Sequence, residues 1–178
     1  MRCTPLRFES IQQIVGNDDV SVIILTDEAR QRALSIVCDA NMTHQITLRL
    51  QGKEDECKNM LPEVLWQMLS KDTYELMVVG IFNGQYQVVL MNIDTKTNVR
   101  LRMADAILLH LISHIPLYIE NGLMGRQCAP FDEKATGVAI PINTMDLERL
   151  KSALDHAVEV ENYKLASQLR DEIKRRKP

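Results

Sequence analysis

The sequence predicts an α+β fold: a mixed, mostly antiparallel sheet with two to three packed helices, followed by a C-terminal α-helical hairpin. Two observations predict it. Strand-like runs joined by turn residues fill the first third of the chain and return between Tyr74 and Met103, while helix-period segments lie between them without the strict βαβ alternation of a parallel sheet. The last thirty-odd residues then carry two apolar stripes at helical spacing, in different frames.

Taken in order, Leu6, Phe8, Ile11 and Ile14 alternate with polar residues, Gly16-Asn17-Asp18-Asp19 is a turn, and "VSVIIL" is a β-branched run of buried-strand type. A second turn at Asp27-Glu28 precedes "RALSIVC", so these three runs predict a hairpin or meander. From Ala40 to Gln51 no turn residue occurs, which predicts a helix ending at Gly52. Leu61, Val64, Leu65, Met68 and Leu69 are spaced as a second helix, with Pro62 tolerable in its first turn. "YELMVVGIF" and "QYQVVLMNI" flank Asn83-Gly84, a strong short hairpin signal, and "VRLRM" follows a turn near Asp94 to Asn98. "ADAILLHLISH" predicts a buried helix closed by Pro116, and "LYIE" a short strand. Residues 122–144, rich in Gly and Pro and without periodicity, predict a linker between a main domain at 1–121 and a hairpin at 145–178.

A chain of 178 residues, 46% hydrophobic, can bury one good core. Only 4% of residues are aromatic, so that core is aliphatic, with nine Met and the single Trp66; Met60, Met68, Met77, Met91 and Met103 fall at core-facing positions. So few rings also count against a stacking platform for single-stranded nucleic acid. Net charge is −3, divided as 13 Lys and Arg against 17 Asp and Glu up to Asn143, and 8 against 7 beyond it. Sequence-independent nucleic-acid binding draws on clustered positive charge, which the main domain lacks; Lys174 to Lys177 reads as a solvated basic tail. Cys3, Cys38, Cys57 and Cys128 form no CxxC or CxxH pair, so neither a zinc site nor a disulfide framework is signalled. No run resembles a signal peptide or a membrane span, and a cytoplasmic location is expected.

In the tail, Leu147, Leu150, Leu154, Ala157 and Val158 form one stripe and Leu165, Ala166, Leu169 and Ile173 the next, with Asn162 placed to cap the second helix. A lone hairpin of this size is marginal, so the stripe is expected to seek cover on the main domain, on a second copy or on a partner. Ala157-Val158-Glu159, Glu161-Asn162-Tyr163 and Ala166 through Ile173 resemble the UVR motif of the bacterial excinuclease subunits B and C. The resemblance implies a protein-protein contact element, with Leu147, Leu150, Leu154, Val158, Tyr163, Leu169 and Ile173 as partner-binding residues.

"LSIVCDANMTHQITLRLQG", "NGQYQVVL", "RLRMADAILL" and "IPLYIE" together resemble the bifunctional-nuclease domain family over about Val20 to Glu120. That implies hydrolysis of DNA or RNA phosphodiesters with Mg²⁺ or Mn²⁺. Several family positions are exchanged: acidic residues of the first helix are Met42 and His44, the Leu-Thr-His-Asp block is Leu61-Pro62-Glu63-Val64, and the Ser of Arg-x-Ser-Asp is Ala104. Such hydrolysis wants carboxylates converging on a hard cation plus a positive charge near the phosphate. Asp105, Glu63 and Asp39 are the candidate carboxylates and Arg102 the phosphate clamp; the structural alternatives are a first-turn helix carboxylate for Asp105 and a strand-end ion pair for Arg102. His110 and His114 stand four apart on one helix, but no third ligand accompanies them and they read as surface residues. No phosphate loop, dinucleotide fingerprint or cofactor motif occurs.

Two functions are therefore expected alternatives. One is a metal-assisted nuclease with nucleic acid as substrate, and the other a non-catalytic scaffold or regulator that binds proteins through the hairpin. A homodimer or higher homo-oligomer is expected from the many apolar positions and from open strand edges.

Overall fold

The computed structural model describes residues 2–14, 17–69, 72–133 and 141–176. Strands β1 (Cys3–Ile14), β2 (Asn17–Asp27) and β3 (Arg32–Asp39) form an antiparallel meander that runs without a loop into helix α1 (Ala40–Leu50). Two further helices follow, α2 (Glu54–Cys57) and α3 (Leu61–Leu69). The opening arrangement then recurs: β4 (Tyr74–Phe82), β5 (Gln85–Asn92) and β6 (Asn98–Arg102) are a second antiparallel meander that passes directly into α4 (Met103–Ser113). After it come β7 (Leu117–Glu120), α5 (Asn121–Gln127), β8 (Ala129–Pro130), a 3-10 turn at Ile142–Thr144, and helices α6 (Leu147–Glu159) and α7 (Tyr163–Arg176).

The eight strands of the described residues join one sheet in the order β6-β5-β4-β7-β1-β2-β3-β8. β7 lies between the two meanders, antiparallel to β1 and parallel to β4, with Leu76 opposite Leu117 and Val78 opposite Ile119. Those four side chains are buried, as are Ile23, Leu25 and Leu34 of the first meander and Ile107 of α4, so one aliphatic core spans the seam. Its β-branched and leucine content suits a pleated surface.

Local chemistry sets the element ends. Asp39 caps α1 by accepting the Met42 N–H at 2.8 Å, and Gly52, at φ +70°, follows the helix as predicted. Asn83 and Gly84 are both left-handed, at φ 48° and 80°, which gives the β4–β5 hairpin a turn twisted to match its strands. Gly84 is also crowded, for a Cβ there would lie 2.9 Å from the Met145 carbonyl oxygen in the segment leading into α6. Asn162 caps α7 through Leu165 N–H at 3.2 Å, as its position in the sequence predicts.

Some expectations are corrected. Within the expected linker, residues 122–130 are folded: Glu120 caps α5 through the N–H groups of Gly122 and Leu123, Leu123 and Met124 are buried in the main core, and β8 pairs with β3. A seven-residue helix is too short to display periodicity, which is why Gly122 and Gly125 mislead. Residues 134–140 of that stretch, Gly16 of the first expected turn and Lys177 lie outside the described residues. Met103 is buried and Met60, Met77 and Met91 half-buried, but Met68 is 76% exposed, because α3 leaves its apolar stripe of Leu61, Val64, Leu65 and Met68 outward.

At the β2–β3 turn the buried Asp27 carboxylate binds Arg32 Nε at 2.8 Å and accepts the N–H groups of Gln31 and Arg32. Burial works against its charge, yet the Arg32 guanidinium and the two N–H groups outweigh burial and hold the carboxyl below the usual carboxylate range. A lowered pKa in the folded state means stabilisation that is complete above the ordinary carboxylate pKa and is lost as pH falls through the lowered value. Asp27→Asn is expected to cost about 1–2 kcal/mol at neutral pH, since Arg32 is partly in water. Urea unfolding at neutral and at strongly acidic pH checks it: the gap between variant and parent should close in acid.

Candidate functional site

Two strand ends launch helices directly, at Asp39–Ala40 and at Arg102–Met103, and both launch points face one cleft of about 430 Å³. Its walls come from Val20, Ile36, Val37 and Cys38 on β2 and β3, Asp39 and Met42 at the start of α1, the β4–β5 turn with Tyr86, the start of α4, and Thr144, Asp146 and Arg149 at the base of the hairpin. The N-termini of α1, α4 and α6 thus share a cleft, and helix N-termini present free N–H groups and partial positive charge. α1 is capped by Asp39 and α6 by Asp146, which accepts Arg149 N–H at 2.8 Å. α4 differs, because its N-cap residue is Arg102 and no side chain caps it.

Arg102 is held by a bidentate pair to Asp105, Nε to Oδ2 at 2.6 Å and Nη2 to Oδ1 at 3.0 Å, while its side chain stays mostly exposed. Hydrogen bonding and charge from Asp105 raise its pKa further, and Asp39 adds to this. The ion-pair alternative weighed for Arg102 is therefore what forms, and Asp105 contacts the arginine through its side chain. Glu63 stands elsewhere, locked by two 2.8 Å hydrogen bonds to Arg49 of α1, with both side chains at least 86% buried. Of Arg102, Asp105 and Glu63, only Arg102 lines the cleft.

His110 and His114 do not form a ligand pair. His110 is half-buried and its Nδ1 donates to the Ile115 carbonyl at 2.6 Å, while His114 ends α4 in the left-handed conformation. His44 is exposed. Burial pushes the Cys38 thiol up, against a hydrogen bond with Thr43, so it remains a protonated thiol rather than a thiolate nucleophile.

Sequence reasoning missed Tyr86 and Arg149. Tyr86 is 6% exposed, and its hydroxyl is a buried polar atom with no hydrogen-bond partner; burial raises its pKa, so it stays a donor. The signal available was its inward place on β5, in phase with Val88 and Leu90, where a hydroxyl needs a reason.

The hairpin sorts its nominated residues into two groups. Leu150, Leu169 and Ile173 are buried between α6 and α7, with Leu154 and Met145 packed beside them. Leu147, Val158 and Tyr163 are exposed, Tyr163 at 68%, and with Val160 the last two make an apolar tip around the α6–α7 turn. At the base, Arg176 donates to the Met145 and Asn143 carbonyls and pairs with Glu172.

The family model for the bifunctional nuclease domain matches residues 23–132, more than half of the chain. The chain belongs to the bifunctional nuclease domain family. A second model, the UvrB/uvrC motif, matches residues 147–177, which takes in both hairpin helices. A search of curated proteins finds no match. Its membership of this family raises the question of a divalent metal. Among the described residues of this bifunctional nuclease domain no three His, Cys, Asp or Glu side chains converge. The cleft carboxylates Asp39 and Asp146 are each engaged as helix caps, and Glu63 and Asp105 each hold an arginine. These residues do not fit a Mg²⁺ or Mn²⁺ site of oxygen ligands. No described helix is long and apolar enough to cross a membrane.

Proposed function

We propose that this chain acts on nucleic-acid phosphodiesters, with Arg102 as the phosphate contact, and that its hairpin tip docks it on a protein partner. The observation that carries the first half is the position of Arg102, fixed by Asp105 at the uncapped N-terminus of α4 and open to the cleft. A guanidinium pre-set by a carboxylate beside free helix N–H groups suits a phosphate oxygen. Asp105 is then a positioning residue, and Glu63 is a brace between α1 and α3.

A specific observation favours a second reading, a non-catalytic protein-binding regulator: Glu63 and Asp105 are each already paired with an arginine, and Asp39 is engaged as a helix cap. Purified protein incubated with plasmid and with total RNA, in Mg²⁺ and in Mn²⁺, separates the two. The first reading expects cleavage that falls at least tenfold in Arg102→Gln, the scale of a lost charged hydrogen bond. No cleavage, or cleavage unchanged in that variant, leaves the regulator.

For the second half, the hairpin's interior is filled by its own leucines and Ile173, so the tip at Val158, Val160 and Tyr163 is the surface left for a partner. Large apolar groups and a tyrosine in such a cluster suit an interface. The domain then ends near the close of the family match, and the hairpin acts as the recruiting element. Val158→Asp with Tyr163→Asp is expected to abolish co-purification of a cross-linked partner while thermal unfolding stays within about 0.5 kcal/mol of the parent, as for surface changes; retention of the partner would refute the assignment of the tip.

The homo-oligomer belongs to the same proposal. α3 turns Leu61, at 78% exposure, together with Leu65 and Met68 to the outside, and β6 leaves a sheet edge open. A second copy of the chain is the occupant proposed for the α3 stripe, and the β6 edge is a further surface of the kind that a two-fold contact uses. Light scattering should give a dimer or larger species that Leu61→Asp with Met68→Asp converts to monomer; a parent monomer at high concentration overturns it.

A further inference from the structure

We propose that the buried Arg49–Glu63 pair sets the rotation of α3 about its own axis, and so holds the apolar stripe of that helix outward as a surface for self-association. This deepens the second-copy reading of the stripe and rests on it. A helix with one apolar side ordinarily turns that side to the core, and α3 does the opposite. Leu61, Val64, Leu65 and Met68 are exposed, whereas Pro62, Glu63, Trp66 and Leu69 form its half-buried side. At about 100° per residue, Glu63 stands roughly 150° around the helix from the middle of the stripe. Whatever grips Glu63 therefore decides which way the stripe points.

The grip is complete. Arg49 donates from Nε to Glu63 Oε1 and from Nη2 to Glu63 Oε2, both at 2.8 Å. Its Nη1 donates to the backbone and side-chain oxygens of Gln45 at 2.7 and 2.9 Å, and Nη2 also reaches Met60 Sδ at 3.7 Å. No N–H of the guanidinium is left without an acceptor, and the side chain is only 9% exposed. The Met60 carbonyl in turn accepts Val64 N–H at 3.0 Å, which ties the first turn of α3 to the same cluster. A buried ion pair adds little stability over apolar side chains of like volume, but it fixes register, because rotating α3 leaves two buried charges unpaired. With apolar side chains at positions 49 and 63 the helix is free to roll and bury its own stripe.

A second copy is the occupant because a two-fold contact sets each part of a surface against the same part of its twin. Any charge in such a patch meets its like, and the stripe of Leu61, Val64, Leu65 and Met68 carries none. Around α2, the charges that precede the stripe in the chain are already paired, Lys53 with Glu56 and Lys58 with Asp55. Two copies of α3 can thus lie against each other without like-charge opposition.

Trp66 is the single tryptophan, and it packs from the inward side of α3 against the main core, so its fluorescence reports the rotation of the helix while light scattering reports association. Arg49→Met with Glu63→Met is expected to stay folded, to shift Trp66 emission to longer wavelength, and to be monomeric at concentrations where the parent is a dimer. Leu61→Asp with Met68→Asp is expected to be monomeric with the Trp66 emission of the parent, because the pair still holds α3. A merely structural role for the pair predicts a changed unfolding temperature with emission and association both as in the parent, and that result overturns the proposal. If the double methionine variant does not fold, Glu63→Gln carries the test: it keeps the shape of the side chain, removes its charge and is expected to move both readouts in the same direction. Parent-like emission and association in Glu63→Gln then overturn the proposal. A monomeric parent whose Trp66 emission still shifts in the variants removes the second copy and keeps the lock, whereas a dimeric parent with unmoved Trp66 in every variant keeps the two-fold contact and removes the lock.

Discussion

A strand of four residues holds the domain together. β7 is hydrogen-bonded to β1 on one side and β4 on the other, so without Leu117–Glu120 the two meanders would be separate sheets, each with an exposed edge. Leu117 and Ile119 point into the common core and Pro116 passes its carbonyl to Leu76 N–H, so the parallel pairing is fastened by both backbone and side chains. Parallel pairing needs a crossover, and α4 supplies it between β6 and β7, buried through Ala106, Ile107, Leu108 and Leu109. The helix that carries Arg102 at its start is thus the element whose burial makes the continuous sheet feasible.

The repeated order of three strands and a directly attached helix explains why a cleft forms where it does. In each half the last strand ends on a charged residue, Asp39 or Arg102, that doubles as the N-cap residue of a helix. Joining the halves through β7 brings the two launch points to the same cavity. The site is therefore a consequence of topology, with side-chain chemistry added where helices begin.

Much of this could be read from the residues. Period-two runs, Asn83-Gly84, Gly52 and Asn162 placed seven of the eight strands' worth of pattern and both hairpin helices, because each rests on short-range stereochemistry. α5 was hidden because one helical turn past Gly122 shows no period, and the exposure of α3 was hidden because an apolar stripe looks the same whether its cover is this chain or another. Of the candidate site, an ion pair at Arg102 was legible from its place at a strand end, while its partner, Asp105, was read only as a first-turn carboxylate. Tyr86 and Arg149 are 63 residues apart in sequence and meet one cleft only after the hairpin folds back, a relation that no local pattern encodes. Glu63 was a plausible acid by type, and its buried pairing with Arg49 is a tertiary fact.

Arg176 gives the hairpin an unusual anchorage. By reaching from the final turn of α7 to the carbonyls of Asn143 and Met145, it ties the end of the helical pair to the segment where the pair begins, beside a turn that tolerates only glycine. The root of the pair is thereby fastened beside the cleft wall that Arg149 contributes, while Val158, Val160 and Tyr163 at the opposite end stay exposed.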